Sequence, residues 1–381
     1  MNFAPTETQQ LVRDMVRTFA EKEVKPRAAA IDRDDAFPHD LYRRLADLGL
    51  LGMTLPAEYG GSGADTVSWA IAEEELARAC PAVADAQLVA KLMSDVIFLN
   101  ASEALRARWL PAIARGEKIP VIAQTEPGTG SDVAGVQTTA RPTSDGWVLD
   151  GTKRFITMAL VCDLAIVIAT TDRTKRHEGI GVFLVDATTP GFKHGAKDPV
   201  MGLRGLATGE LVLEDCHVPQ EALLAAPGQG FKQAMRSLNK GRVGIGSQAV
   251  GLAQAAMEEA LAYARERVAF GQPIASFQAI QFMLADMSAS IEAARLMIRR
   301  AAWLTDQGQL PIREAAEAKL MASETAVRVA HDALQVHGAA GYSTESAIER
   351  LYRDARLYPI WEGTSQIQRI IISRELLRGP R

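Results

Sequence analysis

Apolar and polar positions follow two different patterns along this chain, and the change between them marks its organisation. Up to about residue 120, apolar residues recur with the 3.6-residue period of amphipathic helices. From about residue 121 to 225, short runs rich in β-branched residues are separated by turn signals such as Ser144-Asp145-Gly146. Because no helical pattern interrupts these runs, the middle of the chain is predicted to form an antiparallel sheet rather than β-α-β units.

The last part of the chain returns to the helical period. Three long amphipathic segments cover residues 231–268, 276–307 and 311–337, and two shorter ones lie near 344–354 and 365–378. Long helices joined by short loops are typical of an antiparallel bundle. The predicted fold class is α+β and mainly α, with a helical N-terminal domain at 1–120, a middle antiparallel, β-barrel-like domain at 121–228 and a C-terminal four-helix bundle at 229–381.

Composition and charge narrow the classes of protein that this chain can represent. Its 381 residues are 48% hydrophobic and 23% charged, which is typical of a folded protein with a large core. There are 42 Lys and Arg against 46 Asp and Glu, and the formal net charge of −4 does not favour a nucleic-acid partner. The most apolar run, 160–170, is shorter than the ~20 residues of a membrane span and contains Asp163.

The cysteines and the first residues bear on the cellular compartment. Cys80, Cys162 and Cys216 lie far apart and form no Cys-x-x-Cys pair, so buried thiols in a reducing compartment are expected. The start of the sequence shows neither a secretory signal peptide nor an Arg-rich transit peptide. We therefore expect a cytoplasmic, bacterial-like protein.

Most general catalytic motifs are missing from the sequence. It contains no G-x-x-x-x-G-K-[ST] phosphate loop, no G-x-G-x-x-G dinucleotide fingerprint and no G-x-S-x-G nucleophile elbow. An H-E-x-x-H motif is also missing and the six histidines are scattered, so no metal site is predicted. A Rossmann-type site and a nucleophilic hydrolase are therefore disfavoured.

Three short segments nevertheless stand out. Residues 124–132 (QTEPGTGSD) follow a strand and combine glycines with hydroxyl residues, so they form either an ordinary surface turn or a loop whose backbone N–H groups approach an anion. Residues 267–274 (RVAFGQPI) place an arginine at a helix end, as a dipole partner or a phosphate ligand. In 360–366 (IWEGTSQ), Glu362 precedes Gly363, and its carboxylate serves the helix dipole or acts as an uncrowded base.

Taken in order, these segments resemble the signatures of the acyl-CoA dehydrogenase family. Residues 124–133 resemble T-E-P-x-x-G-S-D, 154–157 resemble the W-I-T flavin segment, and 267–271 match R-x-x-F-G. Residues 335–342 match Q-x-x-G-G-x-G-Y with Ala339 in place of one glycine, and 350–368 resemble R-D-A…Y-E-G-T-x-x-I-Q. The resemblance extends over essentially the whole chain and implies the same three-part fold.

The resemblance implies an FAD cofactor and an acyl-CoA thioester substrate. The residues expected to line the flavin are Ile122, Gln124, Thr125, Gly130, Ser131, Phe155 and Thr157. The residues expected to hold the FAD pyrophosphate and adenosine from a neighbouring subunit are Arg267, Phe270, Gln278, Gln335 and Gly338. The residues expected to complete the cofactor site are Thr364 and Gln366. The residues expected at the CoA ester are Ser131, Asn239 and Arg242.

The resemblance also implies a reaction. Glu362, at the family's base position, would take the α-proton of the thioester while a hydride leaves the β-carbon for flavin N5, which yields the 2-enoyl-CoA. Some relatives carry the base on the helix ahead of Arg242, but that position is Gly241 here, which favours Glu362. The expected partners are an electron-transfer flavoprotein and further copies of the chain in a homotetramer.

Other functions remain open at this level. An oxygen-using acyl-CoA oxidase or a flavin monooxygenase would keep the fold, although a monooxygenase has no need of Glu362. A non-enzymatic partner protein would keep the fold without the cofactor. Peroxide formation and flavin content distinguish these alternatives from a dehydrogenase.

The acyl group is less well specified. In this family a helix matching about residues 82–99 forms part of the acyl pocket, and Val83 stands where glutaryl-type enzymes carry an arginine, which disfavours a glutaryl substrate. The polar residues of this segment are Asp85, Gln87, Lys91 and Asp95. The favoured interpretation is a solvated helix face with a Lys91–Asp95 pair. The alternative is a pocket for a short, branched, aromatic or polar acyl group.

Overall fold

The N-terminal part of the chain is helical, as predicted. The computed structural model describes residues 4–378, apart from the side chains of Phe231 and of residues 233–238. The N-terminal helices are α1 (Glu7–Phe19), α2 (Ala28–Asp34), α3 (His39–Asp47), α4 (Thr66–Ala79), α5 (Pro81–Asn100) and α6 (Glu103–Ala114), with a short π-helix at Ala20–Val24. Side-chain oxygens of Thr6, Asp65 and Ser102 accept backbone N–H groups at the starts of α1, α4 and α6, which fixes where these helices begin.

The middle of the chain forms a mixed sheet. Its strands are β1 (Pro120–Ala123), β2 (Thr139–Pro142), β3 (Gly146–Ile156), β4 (Leu164–Thr170), β5 (Ile180–Asp186), β6 (Phe192–Lys197), β7 (Gly209–Pro219) and β8 (Leu223–Ala225). They pair in the order β6-β7-β3-β2-β4-β5-β8, and β1 pairs with β4. Most pairs are antiparallel, but β1 and β2 both run parallel to β4, which corrects the purely antiparallel expectation. Parallel pairing is possible because a stretch of chain containing β3 separates both strands from β4.

The C-terminal part is a bundle of long helices, as the periodicity predicted. They are α7 (Gly230–Glu266), α8 (Gln278–Asp306) and α9 (Ile312–His337), followed by α10 (Ala347–Ala355) and α11 (Ser365–Leu377). A two-stranded hairpin, β9 (Val268–Ala269) and β10 (Gln272–Pro273), joins α7 to α8. Helix α9 packs on α7, α8 and α11. At the C-terminal ends of α7 and α9, Tyr263 stacks on His337 with ring centroids 4.4 Å apart, so these two helices run parallel.

Helix α5 is the element that connects the parts of the molecule. It packs against β1 of the sheet and against α7 of the bundle. Because it is enclosed by both, every residue from 81 to 94 is buried, with no solvated face along that stretch. One continuous cluster of buried apolar residues extends through the N-terminal helices, the sheet and the bundle.

Three further features of the fold concern membrane spans, metal ligands and cysteines. Among the described residues, no helix combines the length and apolar character needed to cross a membrane. Residues 4–378 also contain no group of three His, Cys, Asp or Glu side chains arranged to hold a metal ion. Cys80, Cys162 and Cys216 are buried free thiols, as the sequence predicted.

Candidate active site

Glu362 lies in the loop between α10 and α11, in an unusual backbone conformation. Its φ is +50° and that of Gly363 is +86°, so two consecutive residues occupy the left-handed region. A non-glycine residue stays in this region only where the surrounding structure holds it there. The carboxylate faces α7, because a methyl group at Gly241 would come within 2.8 Å of Glu362 Oε2. The turn therefore directs the carboxylate at a helix position that has no side chain.

The loop around Glu362 is held through its carbonyl groups. The buried Lys319 on α9 donates from Nζ to the carbonyl oxygens of Tyr358, at 2.7 Å, and Gly363, at 2.9 Å. The Gln368 amide donates to the carbonyl oxygens of Gly363, at 2.7 Å, and Glu362, at 3.2 Å. These bonds leave the Glu362 carboxylate itself free, and its Oε2 is buried with no hydrogen-bond partner among the described residues.

Burial and two nearby cations set the protonation of Glu362. Part of the residue reaches solvent, but the carboxylate end is enclosed. This burial raises the pKa of Glu362 to about 7, while the positive charges of Arg242 and Lys319 act in the opposite direction. Burial also lowers the pKa of Lys319 to about 8. A carboxylate that exchanges its proton near neutral pH has the property required of a general base.

Two predicted ester-binding residues lie next to this carboxylate. Asn239 and Arg242 are both buried on α7, and Arg242 Nη1 donates to Asn239 Oδ1 at 3.0 Å. The Nε of Arg242 is buried without a hydrogen-bond partner among the described residues. Burial lowers the pKa of Arg242, and the Glu362 carboxylate acts in the opposite direction. The site therefore combines a buried carboxylate with an unsatisfied buried donor.

The two segments predicted to line the flavin meet through a buried lysine. Lys153 on β3 contacts Glu126 Oε1 at 2.7 Å and the carbonyl oxygen of Gln124 at 3.2 Å. The next residue, Arg154, donates its N–H to the Thr125 carbonyl at 2.9 Å. The end of β3 is thereby fixed beside the segment that follows β1, where Ile122 lies.

A strained turn then presents Phe155 and Thr157. Phe155 has a φ of +55° and Met158 one of +59°. The buried Asp198 holds this turn by accepting from Arg154 Nε and from the Phe155 N–H, both at 3.0 Å. Phe155 is consequently 56% exposed despite its size. An exposed aromatic wall on a rigid turn suits the edge of a planar ring system.

The residues present at this edge fit a flavin. Gln124 Oε1 is buried and has no hydrogen-bond partner within the described part of the chain. Nothing lies within 4 Å of the position where a side chain would begin at Gly130, so the backbone there is open to a ligand. Ser131, the next residue, is exposed. Thr364 caps α11 by accepting the Ile367 N–H at 3.2 Å, and the neighbouring Gln366 is exposed.

The remaining predicted cofactor residues lie at the other end of the bundle. They are exposed and gather where α7 and α9 end, and they comprise Arg267, Phe270, Gln278, Gln335 and Gly338. Phe270 is 95% exposed, which is exceptional for a phenylalanine. Arg242 and the end of α7 at Glu266 are 24 residues apart, or ~36 Å at 1.5 Å per residue. A single chain therefore does not bring this group together with Glu362.

The structure also contains site residues that the sequence reasoning missed. Lys319, Lys153 and Asp198 all support the predicted site without touching the base or carrying a motif. Each stands in a segment where a charged residue ordinarily faces solvent, so no sequence pattern indicates its role. The segments that they hold were nevertheless identified.

The interpretation of 85–95 as a solvated face is wrong. Asp85 is 1% exposed, and Gln87 and Lys91 are also buried, because α5 is enclosed on both sides. The predicted Lys91–Asp95 pair is confirmed at 2.9 Å, and Lys240 joins it at 3.0 Å from the same carboxylate oxygen. The Gln87 amide donates to the Leu50 carbonyl at 2.6 Å. Polar groups in this segment are therefore part of the interior.

Comparisons with known proteins identify the family. Models of the acyl-CoA dehydrogenase N-terminal, middle and C-terminal domains match residues 6–117, 121–216 and 228–377. The chain is 46% identical over 376 residues to the human protein "Short-chain specific acyl-CoA dehydrogenase, mitochondrial", covering 98% of this chain and 91% of that protein.

Two solved structures are similar over their full length. Butyryl-CoA dehydrogenase from Megasphaera elsdenii has a TM-score of 0.97 and 38% identity, covering 99% of this chain and 100% of that one. A chain in the structure described as "Electron transferring flavoprotein of Acidaminococcus fermentans: Towards a mechanism of flavin-based electron bifurcation" has the same TM-score and identity, with full coverage of both chains. The chain belongs to the acyl-CoA dehydrogenase family of flavin-dependent oxidoreductases.

Proposed function

We propose that this chain is an FAD-dependent acyl-CoA dehydrogenase that converts an acyl-CoA thioester to the 2-enoyl-CoA, with Glu362 as the base. The observation that carries the proposal is the buried, unpaired Oε2 of Glu362, whose pKa is raised to about 7. A carboxylate left free in a dry site costs stability unless it meets a partner during function. The family membership supports the same reaction.

Several residues of this chain have separate roles in proton removal. The α-proton of a thioester is weakly acidic, so a base must be held close to it in a site that excludes water. Lys319 and Gln368 hold the loop, and Gly241 leaves space in front of the carboxylate. The Glu362 Oε2 then accepts the α-proton, and the β-carbon loses a hydride. A bound FAD supplies the acceptor for that hydride.

The cofactor site is proposed to need two chains. The residues of 122–131 and 155–157 lie beside β1 and β3, and they fit the flavin end. The exposed residues at the far end of α7 and α9 would hold the pyrophosphate and adenosine of a cofactor bound mainly to another copy. The ~36 Å along α7 between Arg242, beside Glu362, and Glu266, at the far end, supports this arrangement. In a homotetramer, each of the four cofactor sites would be completed by residues of a neighbouring chain.

The electron acceptor is proposed to be an electron-transfer flavoprotein. The similarity to a chain from a structure described by that name supports this choice. An oxidase would instead pass its electrons to oxygen. Anaerobic reduction of the flavin with little peroxide in air is therefore the expected behaviour.

The experiment that tests the proposal compares Glu362→Gln with the wild type. Purified protein is mixed anaerobically with a panel of acyl-CoAs, and the visible flavin band is followed. The wild type is expected to bleach with one class of thioester. Glu362→Gln is expected to keep the yellow cofactor but to bleach roughly 10²- to 10⁴-fold more slowly, the usual contribution of a general base. Glu345→Gln, an exposed position, is the matched control. A Glu362→Gln enzyme with the wild-type rate contradicts the assignment.

A further inference from the structure

A buried polar cluster lies beside the base, and no step of the proposed reaction uses it. It consists of Glu73, Asp85, Gln248 and Tyr358, all buried, and we call it the polar cluster. Its members come from α4, α5 and α7 and from the loop that carries the base, since Tyr358 precedes Glu362 by four residues. The interior of a fatty-acyl site has no need of three titratable groups, because burying polar groups is costly.

The polar cluster lies on the helix face that meets the base. A methyl group at Gly241 would meet Leu92 of α5 at 3.2 Å as well as the base carboxylate. One turn along α7, a methyl group at Gly244 would meet Leu88 at 2.6 Å. Leu92, Leu88 and Asp85 follow each other at helical spacing, so they share one face of α5. Asp85 is therefore ~10 Å along this face from the residue nearest the base.

The hydrogen bonds of the polar cluster are incomplete. Glu73 accepts from Trp69 Nε1 at 2.9 Å and from the Gln248 amide nitrogen at 2.8 Å, which satisfies both of its oxygens. Asp85 Oδ2, Gln248 Oε1 and the Tyr358 hydroxyl are buried with no hydrogen-bond partner among the described residues. Buried polar atoms are nearly always paired in folded proteins. Asp85 Oδ2 and Gln248 Oε1 are acceptors, whereas the Tyr358 hydroxyl has a single proton to donate, so the unpaired acceptors outnumber the unpaired donors in the cluster.

The charges around Asp85 indicate what kind of donor is missing. Burial raises the pKa of Asp85 well above its usual range and the Glu362 carboxylate adds to this effect, while the Gln248 amide acts in the opposite direction. Burial likewise raises the pKa of Glu73. The lysine on the same helix, Lys91, is already paired with Asp95. A cation or a neutral donor placed against Asp85 would stabilise its buried carboxylate, whereas another carboxylate would destabilise it.

We propose that the polar cluster selects an acyl-CoA whose short acyl chain ends in a hydrogen-bond donor, an ammonium or a hydroxyl group. This inference rests on the proposed function, because it places the acyl chain between Glu362 and Asp85. A plain alkyl chain leaves Asp85 Oδ2 and Gln248 Oε1 unpaired, and a site that binds a polar group rejects an analogue lacking it. Leu88 and Leu92 supply apolar contacts for the methylene groups between the two ends.

The test measures binding rather than turnover. Dissociation constants are determined by titration of the FAD-loaded Glu362→Gln enzyme, in which a bound thioester is not consumed. The probes form two sets, and the carbon chain has the same length within each set. The first set consists of butyryl-, 4-hydroxybutyryl-, 4-aminobutyryl- and succinyl-CoA. The second consists of hexanoyl-, 6-hydroxyhexanoyl-, 6-aminohexanoyl- and adipoyl-CoA. In at least one set, the donor-bearing probes are expected to bind roughly 10- to 100-fold more tightly than the alkyl probe. The carboxylate probe is expected to bind most weakly.

Variants of Asp85 connect this ranking to the polar cluster. Asp85→Leu, made in the Glu362→Gln enzyme, is expected to lose the preference for the donor probes and to bind the alkyl probe more tightly. Asp34→Leu, at an exposed position, is the control and is expected to leave the ranking unchanged. Should Asp85→Leu fail to fold, Asp85→Asn preserves the size of the side chain and is expected to lose the preference for ammonium over hydroxyl.

Two results overturn the inference. One is an alkyl probe that binds as tightly as the donor probes in both sets, and the other is an unchanged ranking in the Asp85 variants. Failure of the proposed function is distinguishable, because then no thioester of either set bleaches the flavin of the wild type. Comparison of the dissociation constants of the amino- and hydroxyacyl-CoA probes shows whether the site prefers an ammonium or a hydroxyl group.

Discussion

Lys319 provides a sharp test of how the proposed base, Glu362, is held, because its hydrogen bonds to the loop of Glu362 go only to backbone oxygens. Its Nζ donates to the carbonyls of Tyr358 and Gly363, on either side of Glu362. Lys319→Met keeps the length of the side chain and removes both bonds and the charge. The Gly363 carbonyl keeps its hydrogen bond from the Gln368 amide, so only the buried Tyr358 carbonyl is left without a donor, which costs about 1–3 kcal/mol.

Removing the buried ammonium also recovers a desolvation cost. Burial lowers the pKa of Lys319 from 10.5 to about 8. At ~1.4 kcal/mol per pH unit, this difference corresponds to about 3 kcal/mol at neutral pH. The net change in the free energy of unfolding therefore lies between a gain of about 2 kcal/mol and no change. The melting temperature is expected to change by a few degrees at most.

The effect on activity is expected to be larger and to depend on pH. The charge of Lys319 favours the ionised form of Glu362, whose pKa is about 7. Without that charge the protonated form is favoured, so the pKa of Glu362 rises. The acid limb of kcat/KM, expected near pH 7 in the wild type, should move to higher pH in Lys319→Met.

The charge can be separated from the packing by two further variants. Lys319→Arg retains a cation and is expected to keep the acid limb near pH 7. Lys175→Met, at an exposed position of the sheet region, is the control and should behave as the wild type. An acid limb that stays in place or moves to lower pH in Lys319→Met would refute the electrostatic argument.

Two further predictions concern the supports of the site. Lys153→Met leaves the Glu126 carboxylate buried without its cation, and this is expected to lower the free energy of unfolding by about 3–5 kcal/mol. The expected readouts are a lower melting temperature and loss of flavin during gel filtration. An unchanged melting temperature contradicts this prediction. Gly241→Ala puts a methyl group 2.8 Å from Glu362 Oε2 and is expected to slow flavin reduction roughly 10²-fold while the circular dichroism spectrum stays unchanged. A wild-type rate in this variant would mean that the carboxylate has space elsewhere.

Periodicity predicted the helical parts of the fold closely. The segment predicted at 311–337 is the helix Ile312–His337, and that predicted at 276–307 is Gln278–Asp306. Long amphipathic patterns average over many residues, so tertiary contacts rarely override them. The parallel pairing of β1 with β4 could not be predicted in this way, because strand direction depends on where the chain returns and not on the strand's own residues.

The environment of the polar residues of α5 could not be predicted from the sequence pattern. Alternation of polar and apolar residues assumes that one face of a helix meets water. Helix α5 lies between the sheet and α7, so Asp85 and Gln87 are buried together with the apolar residues. Lys319 was missed for the same reason, since a lysine in an amphipathic helix ordinarily faces solvent. In both cases, the neighbouring elements decide the environment.

The proposed two-chain cofactor site would link cofactor binding to assembly by mass action. A ligand held partly by one chain and partly by another binds the assembled state and not the separated chains. On this proposal, cofactor and neighbouring subunit would stabilise each other, and the loss of either would weaken retention of the other. The exposed Phe270 would then belong to a surface whose occupancy follows protein concentration. On dilution, such a protein would lose its colour and its quaternary structure together.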